Sequence, residues 1–483
     1  MNRITTLRTI YSTLFLLVTI AAHSQSPVKT FEKTFGGTGY DEGHFISATD
    51  NGGYIITGLS ESFDDTLGST YLIETDSLGE MNWFTTKGGN DLDGGNSVIQ
   101  TTDGGYFVTN HTESFGAGDC DAYIFKTDNA GNELWSTTYG DIYDDIGHQG
   151  IQTTDGGFAI TGVSVTDLNP LGNALLGRYN SGGELTWINF YGDSGVDITE
   201  RLLETQDGGF ILAGMTSAPA SGPEDILVVK TDNSGNLEWS KNFGGDSYEE
   251  AYGLAATADG GFVVSGFTSS FGAGAADAWL LKINEEGILQ WSQTYGGAGE
   301  DRAYAVAETF DGGFILTGLT GSFGDTLNDL FMLRTDALGN QLWIKTFGGD
   351  KADEGRWVLA CDDGGYAAIG TTRSKGNGDA DVYFVKTDDA GNITATELPE
   401  SASSTIQINP NPFSSFFTIR QESKIQAIDF ALYDVTGKLI QEQLNLTSAT
   451  TQIQRRNLQS GIYFYKIFDQ HQTLLSTGKI IAR

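Results

Sequence analysis

A pair of glycines recurs every 52 residues along this chain, beginning at Gly52, Gly104, Gly156, Gly208, Gly260, Gly312 and Gly364. Two further series keep the same step: Gly79, Gly131, Gly183, Gly235, Gly287, Gly339 and Gly391, and the aromatic residues Phe31, Trp83, Trp135, Trp187, Trp239, Trp291 and Trp343. No insertion or deletion falls between equivalent markers. A strict period of this length marks one supersecondary unit copied along the chain, each copy burying its apolar faces against its neighbours.

Within one unit, Val98 to Thr102 and Tyr106 to His111 are β-prone runs separated by Asp103-Gly104-Gly105. Asp-Gly between such runs predicts a hairpin with a type I′ turn. A third run, Ala122 to Thr127, leads into the turn Asp128 to Asn132, and a fourth, Glu133 to Tyr139, contains Trp135. The chain carries 65 Gly, 28 Phe and 19 Tyr against 7 Pro, which suits short aromatic-rich strands joined by tight turns. Four antiparallel strands in about 50 residues make a propeller blade, whereas a β-helix repeats at shorter periods and a helical solenoid shows a 3.6-residue period. Blades pack on both faces, so their strands lack a clean apolar and polar alternation.

The ends of the array point to a closed ring. The seventh unit reaches Gly391 and then lacks its Trp strand, while an extra copy stands at the front: Phe31 to Gly37 matches Trp343 to Gly349. The N-terminal strand, Val28 to Phe35, is expected to pair with Val382 to Thr387 and complete blade seven, with Phe31 at the place of the Trp. Closure removes sheet edges that would otherwise invite aggregation. The expected fold is all-β: a seven-bladed β-propeller closed by the N-terminal strand, followed by a separate C-terminal segment in which the repeat is lost. Its expected segments are a signal peptide at 1–24, the propeller at 25–394, a linker at 395–403 and a terminal domain at 404–483.

The signal peptide is read from Arg3 and Arg8, the apolar run Ile10 to Ala22, and small residues at Ala22 and Ser24. No later stretch is long and apolar enough to span a bilayer as a helix. The formal charge of −36 repels phosphate backbones and suits solubility outside the cell, so nucleic acid is not an expected partner. Cys120 and Cys361 are the two cysteines, placed in dissimilar segments, and no disulfide between them is expected.

The string Thr-x-Asp-Gly-Gly followed by Lys-Thr-Asp-x-x-Gly-Asn-x-x-Trp resembles the β-propeller repeats of many secreted bacterial proteins, over about residues 28 to 394. Quinoprotein propellers share a glycine four residues before a docking Trp, as in Gly131 to Trp135, but Asp128 sits one residue too close for their motif and no quinone cofactor follows. Beyond Ser404 the repeat breaks. Pro410-Asn411-Pro412-Phe413, Leu432 to Lys438, Leu458 to Tyr463 and Gly478 to Ile481, in that order, resemble the type A C-terminal sorting domain of the type IX secretion system. That resemblance implies a small β-sandwich, the type IX secretion machinery as partner, export across the outer membrane of a Bacteroidota-type bacterium, and removal of the tail, leaving the protein attached to the surface or released.

Motifs that would fix a chemistry are missing: the sequence contains no G-x-S-x-G, H-E-x-x-H, P-loop or Cys-x-x-Cys. An acid recurs at Asp41, Asp93, Asp145, Asp197, Glu249, Asp301 and Asp353, where it is expected to satisfy loop N–H groups. A second acid, Asp121, Asp225, Asp277, Asp329 and Asp381, precedes the third strand and is expected to do the same. No metal, cofactor or catalytic set is assigned. A ligand site on a ring requires chemically distinct groups, so it is sought where the copies disagree. Three residues after the first acid the series reads His44, Asn96, His148, Glu200, Tyr252, Tyr304 and Arg356. These are the candidate ligand-binding residues, at the channel mouth beside the variable loops Ser62 to Gly68, Ser114 to Cys120 and Ser217 to Glu224. The expected function is binding or adhesion toward an extracellular glycan or protein. The alternative is a glycan-active hydrolase or lyase using channel-mouth carboxylates.

Overall fold

A computed structural model describes residues 28–393, apart from 64–66, 168, 218–222 and 325–326. It also describes 406–482, apart from 410–412, 414, 422–427, 434–437, 449, 456–457, 460 and 470–473. The signal-peptide segment, the linker, parts of three of the sorting motifs (410–412, 434–437 and 460) and parts of two variable loops lie outside the described residues. The chain divides into two compact units, one ending at Asn392 and one beginning at Ile393.

The first unit consists of seven four-stranded antiparallel sheets among the described residues. Blade 2 is representative, with Asp93–Gln100, Tyr106–Thr112, Asp121–Thr127 and Glu133–Tyr139 hydrogen-bonded in sequence order. The inner strand starts five residues earlier than the apolar run suggests, because it begins at the repeated acid. The two middle strands are buried almost end to end in every blade, whereas the outer strand is mostly half-buried or exposed in blades 1 to 6 and buried at both ends in blade 7. Each inner strand contacts the inner strands of the blades before and after it, and that of blade 7, Asp353–Ala360, contacts that of blade 1, Asp41–Ala48. The ring is closed.

Closure uses the N-terminal strand as the sequence indicates, over a shorter span: Phe31–Phe35 pairs with Val382 to Lys386, Phe31 opposite Lys386 and Phe35 opposite Val382. The place of the Trp is also explained. A Cβ added to Gly131 would lie 2.9 Å from the ring of Trp83, and the same holds from Trp135 on Gly183 to Trp343 on Gly391. Each Trp lies on the turn glycine of the next blade. Phe31 does so on Gly79, joining blade 7 to blade 1.

The Gly-Gly pair has two separate causes. Gly104 has φ of 85°, which a side chain disfavours. Gly105 has Thr127 O where its Cβ would be, 2.1 Å away. The turn is not type I′, since Asp103 does not take positive φ. Its carboxylate bonds locally instead, accepting from the Thr101 hydroxyl at 2.6 Å and Gly105 N–H at 3.2 Å, and it pairs with the buried Lys126 at 2.6 Å. That local bonding holds the Asp in ordinary backbone geometry and leaves the left-handed position to glycine alone.

The second unit holds a four-stranded sheet, Leu439–Leu446, Ile428–Tyr433, Gly461–Asp469 and Leu474–Ala482 in that spatial order, and a three-stranded sheet, Ile406–Asn409, Phe416–Gln421 and Thr450–Gln454. One buried cluster takes side chains from both, including Phe417, Ile419 and Ile453 from the smaller sheet and Phe430, Leu432, Ile467 and Ile480 from the larger.

Candidate binding site in the channel

The inner strand of every blade loses register once against its neighbour, leaving one residue unpaired between Gly43 and Phe45, Gly95 and Ser97, Gly147 and Gln149, Thr199 and Arg201, Ala251 and Gly253, Ala303 and Ala305, and Gly355 and Trp357. The skipped residues are His44, Asn96, His148, Glu200, Tyr252, Tyr304 and Arg356. The series singled out for its variety is thus the set of β-bulge residues, one per blade, lying within the strand rather than at its start. A bulge releases one residue from the ladder and turns its side chain. All seven line a single cavity of about 240 Å3, with Arg201 as an eighth contributor.

The ring is uneven. On one side, each residue reaches the carbonyl just before the next blade's bulge: His44 Nδ1 lies 2.9 Å from Gly95 O, Asn96 Nδ2 donates to Gly147 O at 2.8 Å, and His148 Nδ1 lies 3.1 Å from Thr199 O. These three side chains tie blades together. Burial pushes the Glu42 carboxyl up, yet its contacts with His44 at 2.7 Å and with Tyr40 hold it down at about 2.

On the other side, no such bond forms. The Tyr252 hydroxyl donates to Glu250, its ring meets Tyr304 edge-on at 5.1 Å, and the Arg356 guanidinium lies 5.0 Å from the Tyr304 ring while holding Glu354 at 2.7 Å. Burial, then the Glu250 charge, raises the Tyr252 phenol far above its usual range, and burial raises that of Tyr304 to about 12 against the pull of Arg356. Both are neutral hydrogen-bond donors at physiological pH and poor nucleophiles.

Arg201 and Trp357 were missed by the sequence reading. Arg201 extends from Val196–Glu204, the inner strand of blade 4, to lie 4.8 Å from the Trp357 ring on blade 7, and Phe45 stacks on Trp357 at 3.9 Å. Both belong to the column one residue after the bulge, Phe45, Ser97, Gln149, Arg201, Gly253, Ala305 and Trp357, whose range of size is itself a legible signal. Gly253 and Ala305 bring little bulk to that column, while Arg201 and Trp357 bring most.

The repeated acids act locally. Asp41 accepts from Gly37 N–H at 2.8 Å and the Ser62 hydroxyl at 2.5 Å, and Asp93, Asp197, Glu249, Asp301 and Asp353 accept from the N–H four residues back in the same way. Asp121, Asp277 and Asp381 each accept two N–H groups of the loop before them. Cys120 and Cys361 are both free, and Cys361 follows its strand rather than lying in it.

Residues 407–483 match the secretion system C-terminal sorting domain. The chain is therefore a secreted propeller, directed by a type IX sorting domain to the cell surface or the medium. Among solved structures it is similar to PorZ, a surface component of the type IX secretion system of Porphyromonas gingivalis, at 12% identity and a TM-score of 0.39, over 93% of this chain and 60% of that one. It is also similar to the β-propeller domain of the Trilobed protease from Pyrococcus furiosus, at 9% identity and a TM-score of 0.41, over 76% of this chain and all of that one. A curated relative, the regulatory protein FlaEY of Caulobacter vibrioides, is 26% identical over 124 residues, and the chain spans 13% of that protein's length. No helix among the described residues is long and apolar enough to cross a membrane.

Proposed function

We propose that this protein is an exported, non-enzymatic binding propeller whose ligand, a glycan or a protein, engages the channel through the bulge residues. The observation that carries this reading is the convergence of seven chemically different side chains, freed from the sheet ladder at one position per blade, on a single cavity. Three of them are committed to inter-blade bonds. Glu200, Tyr252, Tyr304 and Arg356 are left to present a carboxylate, two phenols and a guanidinium, which suits hydrogen bonding and stacking on a sugar or peptide.

The test is a binding and product-release screen of the mature protein on glycans, polysaccharides and peptides, repeated with the triple variant Tyr252→Ala, Tyr304→Ala, Arg356→Ala. Binding without product release, lost in the folded triple variant, is the expected result. Product release would favour the hydrolase or lyase reading, and unchanged affinity in the folded variant would move the site elsewhere.

A further inference from the structure

The cavity contains two guanidinium groups whose bonding is incomplete. Arg201 Nε and Arg356 Nε are both buried and have no hydrogen-bond partner. Arg201 is the more demanding of the two. Its Nη1 donates to the carbonyl of Glu200 at 2.9 Å, its one carboxylate neighbour within salt-bridge range, Glu200, is 4.0 Å away, and its guanidinium lies 4.8 Å from the Trp357 ring. Burial destabilises its charge, Glu200 offsets this in part, and Arg356 adds repulsion. Arg356 differs in having a close partner, Glu354 at 2.7 Å. A buried cation is stable only when paired and fully hydrogen-bonded, and an unused Nε–H on a flat guanidinium is shaped to take a carboxylate.

We infer that the channel ligand carries a carboxylate that Arg201 binds with the help of Arg356, and that it is a single uronate residue at the end of a glycan. This rests on the reading of the cavity as a ligand site. Two features favour a sugar acid over an acidic peptide side chain. A cavity of about 240 Å3 is smaller than the roughly 300–1,000 Å3 of drug-sized pockets and suits one ring. The remaining lining groups not held to the next blade's carbonyl, the Glu200 carboxylate and the Tyr252 and Tyr304 phenols, supply both acceptors and donors, which an array of ring hydroxyls uses and a simple carboxylate side chain does not. The formal charge of −36 opposes long polyanions, consistent with recognition of one terminal residue.

The experiment compares methyl β-glucuronide with methyl β-glucoside, which differ at the carboxylate alone, by calorimetry on the full mature protein. A charge-assisted hydrogen bond is worth about 1.5–3 kcal/mol, so the glucuronide is expected to bind about tenfold or more tighter, and Arg201→Gln to erase that preference. Equal affinities, or a preference that survives Arg201→Gln, would overturn the inference. Should Arg201→Gln fail to fold, as judged by circular dichroism, Arg356→Gln is expected to cut the preference severalfold, and an unchanged preference there counts against it equally. An N-acetylglutamate amide that binds as tightly as the glucuronide would assign the site to acidic peptides and refute the sugar. If neither glycoside binds but a ligand found in the broader screen is lost in the Tyr252, Tyr304 and Arg356 variant, the site stands and the uronate assignment falls. A screen ligand indifferent to that variant would remove the site itself.

Discussion

Ring closure by the N-terminal strand is open to a sharp test at Phe31. Its side chain is 4% exposed, meets the Phe384 ring edge-on at 4.9 Å, and lies where a Cβ on Gly79 would be. Phe31→Ala deletes those contacts at the one junction where first and last blades share a sheet. Truncating a buried Phe costs about 3–5 kcal/mol. Spread over a propeller of about 365 residues at roughly 2.1 cal/mol/K of unfolding entropy each, this lowers Tm by about 4–7 °C if the ring melts as one unit. Differential scanning calorimetry reads the shift, and hydrogen exchange locates it: amides of Asp381–Thr387, the strand that Phe31–Phe35 covers, should lose protection first. Phe31→Trp, restoring the residue of the other six junctions, should recover most of the loss. A Phe31→Ala protein melting within about 1 °C of the parent, with that strand still protected, would refute closure by this strand.

Gly104→Ala and Gly131→Ala share nearly the same backbone strain, with φ of 85° and 81°, but differ in surroundings, since the first meets nothing within 4 Å and the second meets Trp83 at 2.9 Å. The second is expected to cost about 1–3 kcal/mol more in denaturant unfolding, and equal costs would count against Trp docking as an inter-blade contact. Burial, aided by the charges of His44 and His148, lowers His111 to about 4. The unfolded chain takes up its proton near pH 6.5 and the folded one not until about pH 4, so this contribution is complete above about pH 6.5 and declines as pH falls toward 4. His111→Leu, copying Leu59 and Leu319 at the equivalent positions, should flatten urea-measured stability across that window, and an unaltered pH profile would assign the slope to other groups.

The ring was legible because its determinants are steric and recur. A glycine under each Trp and a glycine pair at each hairpin leave the same mark in all seven copies, and the displaced copy at Phe31 reveals the closure. The turn type was not legible, because Asp-Gly suits type I′ by propensity while the Asp103 carboxylate, bonded to Thr101, Gly105 and Lys126, favours another geometry. The candidate site was half legible. Variation at one column marked the seven residues, but nothing in the sequence says that a bulge frees them, or that His44, Asn96 and His148 turn to the neighbouring blade's carbonyl while the other four do not.

That division follows from side-chain chemistry acting on a fixed frame. The carbonyl before each bulge is available to a donor of suitable length on the preceding blade, and His and Asn supply one. Glu200 has no proton to donate, Tyr252 uses its hydroxyl on Glu250, and the Arg356 guanidinium turns to Glu354 and the Tyr304 ring. Because the frame repeats without insertion, exchanging one residue at a bulge changes what the channel offers while the strand pairing, the Trp contacts and the turn glycines remain as they are. A site built this way can alter specificity blade by blade at little cost to the ring, and Arg201, which crosses from blade 4 to Trp357 of blade 7, is the exception that couples distant blades through the channel.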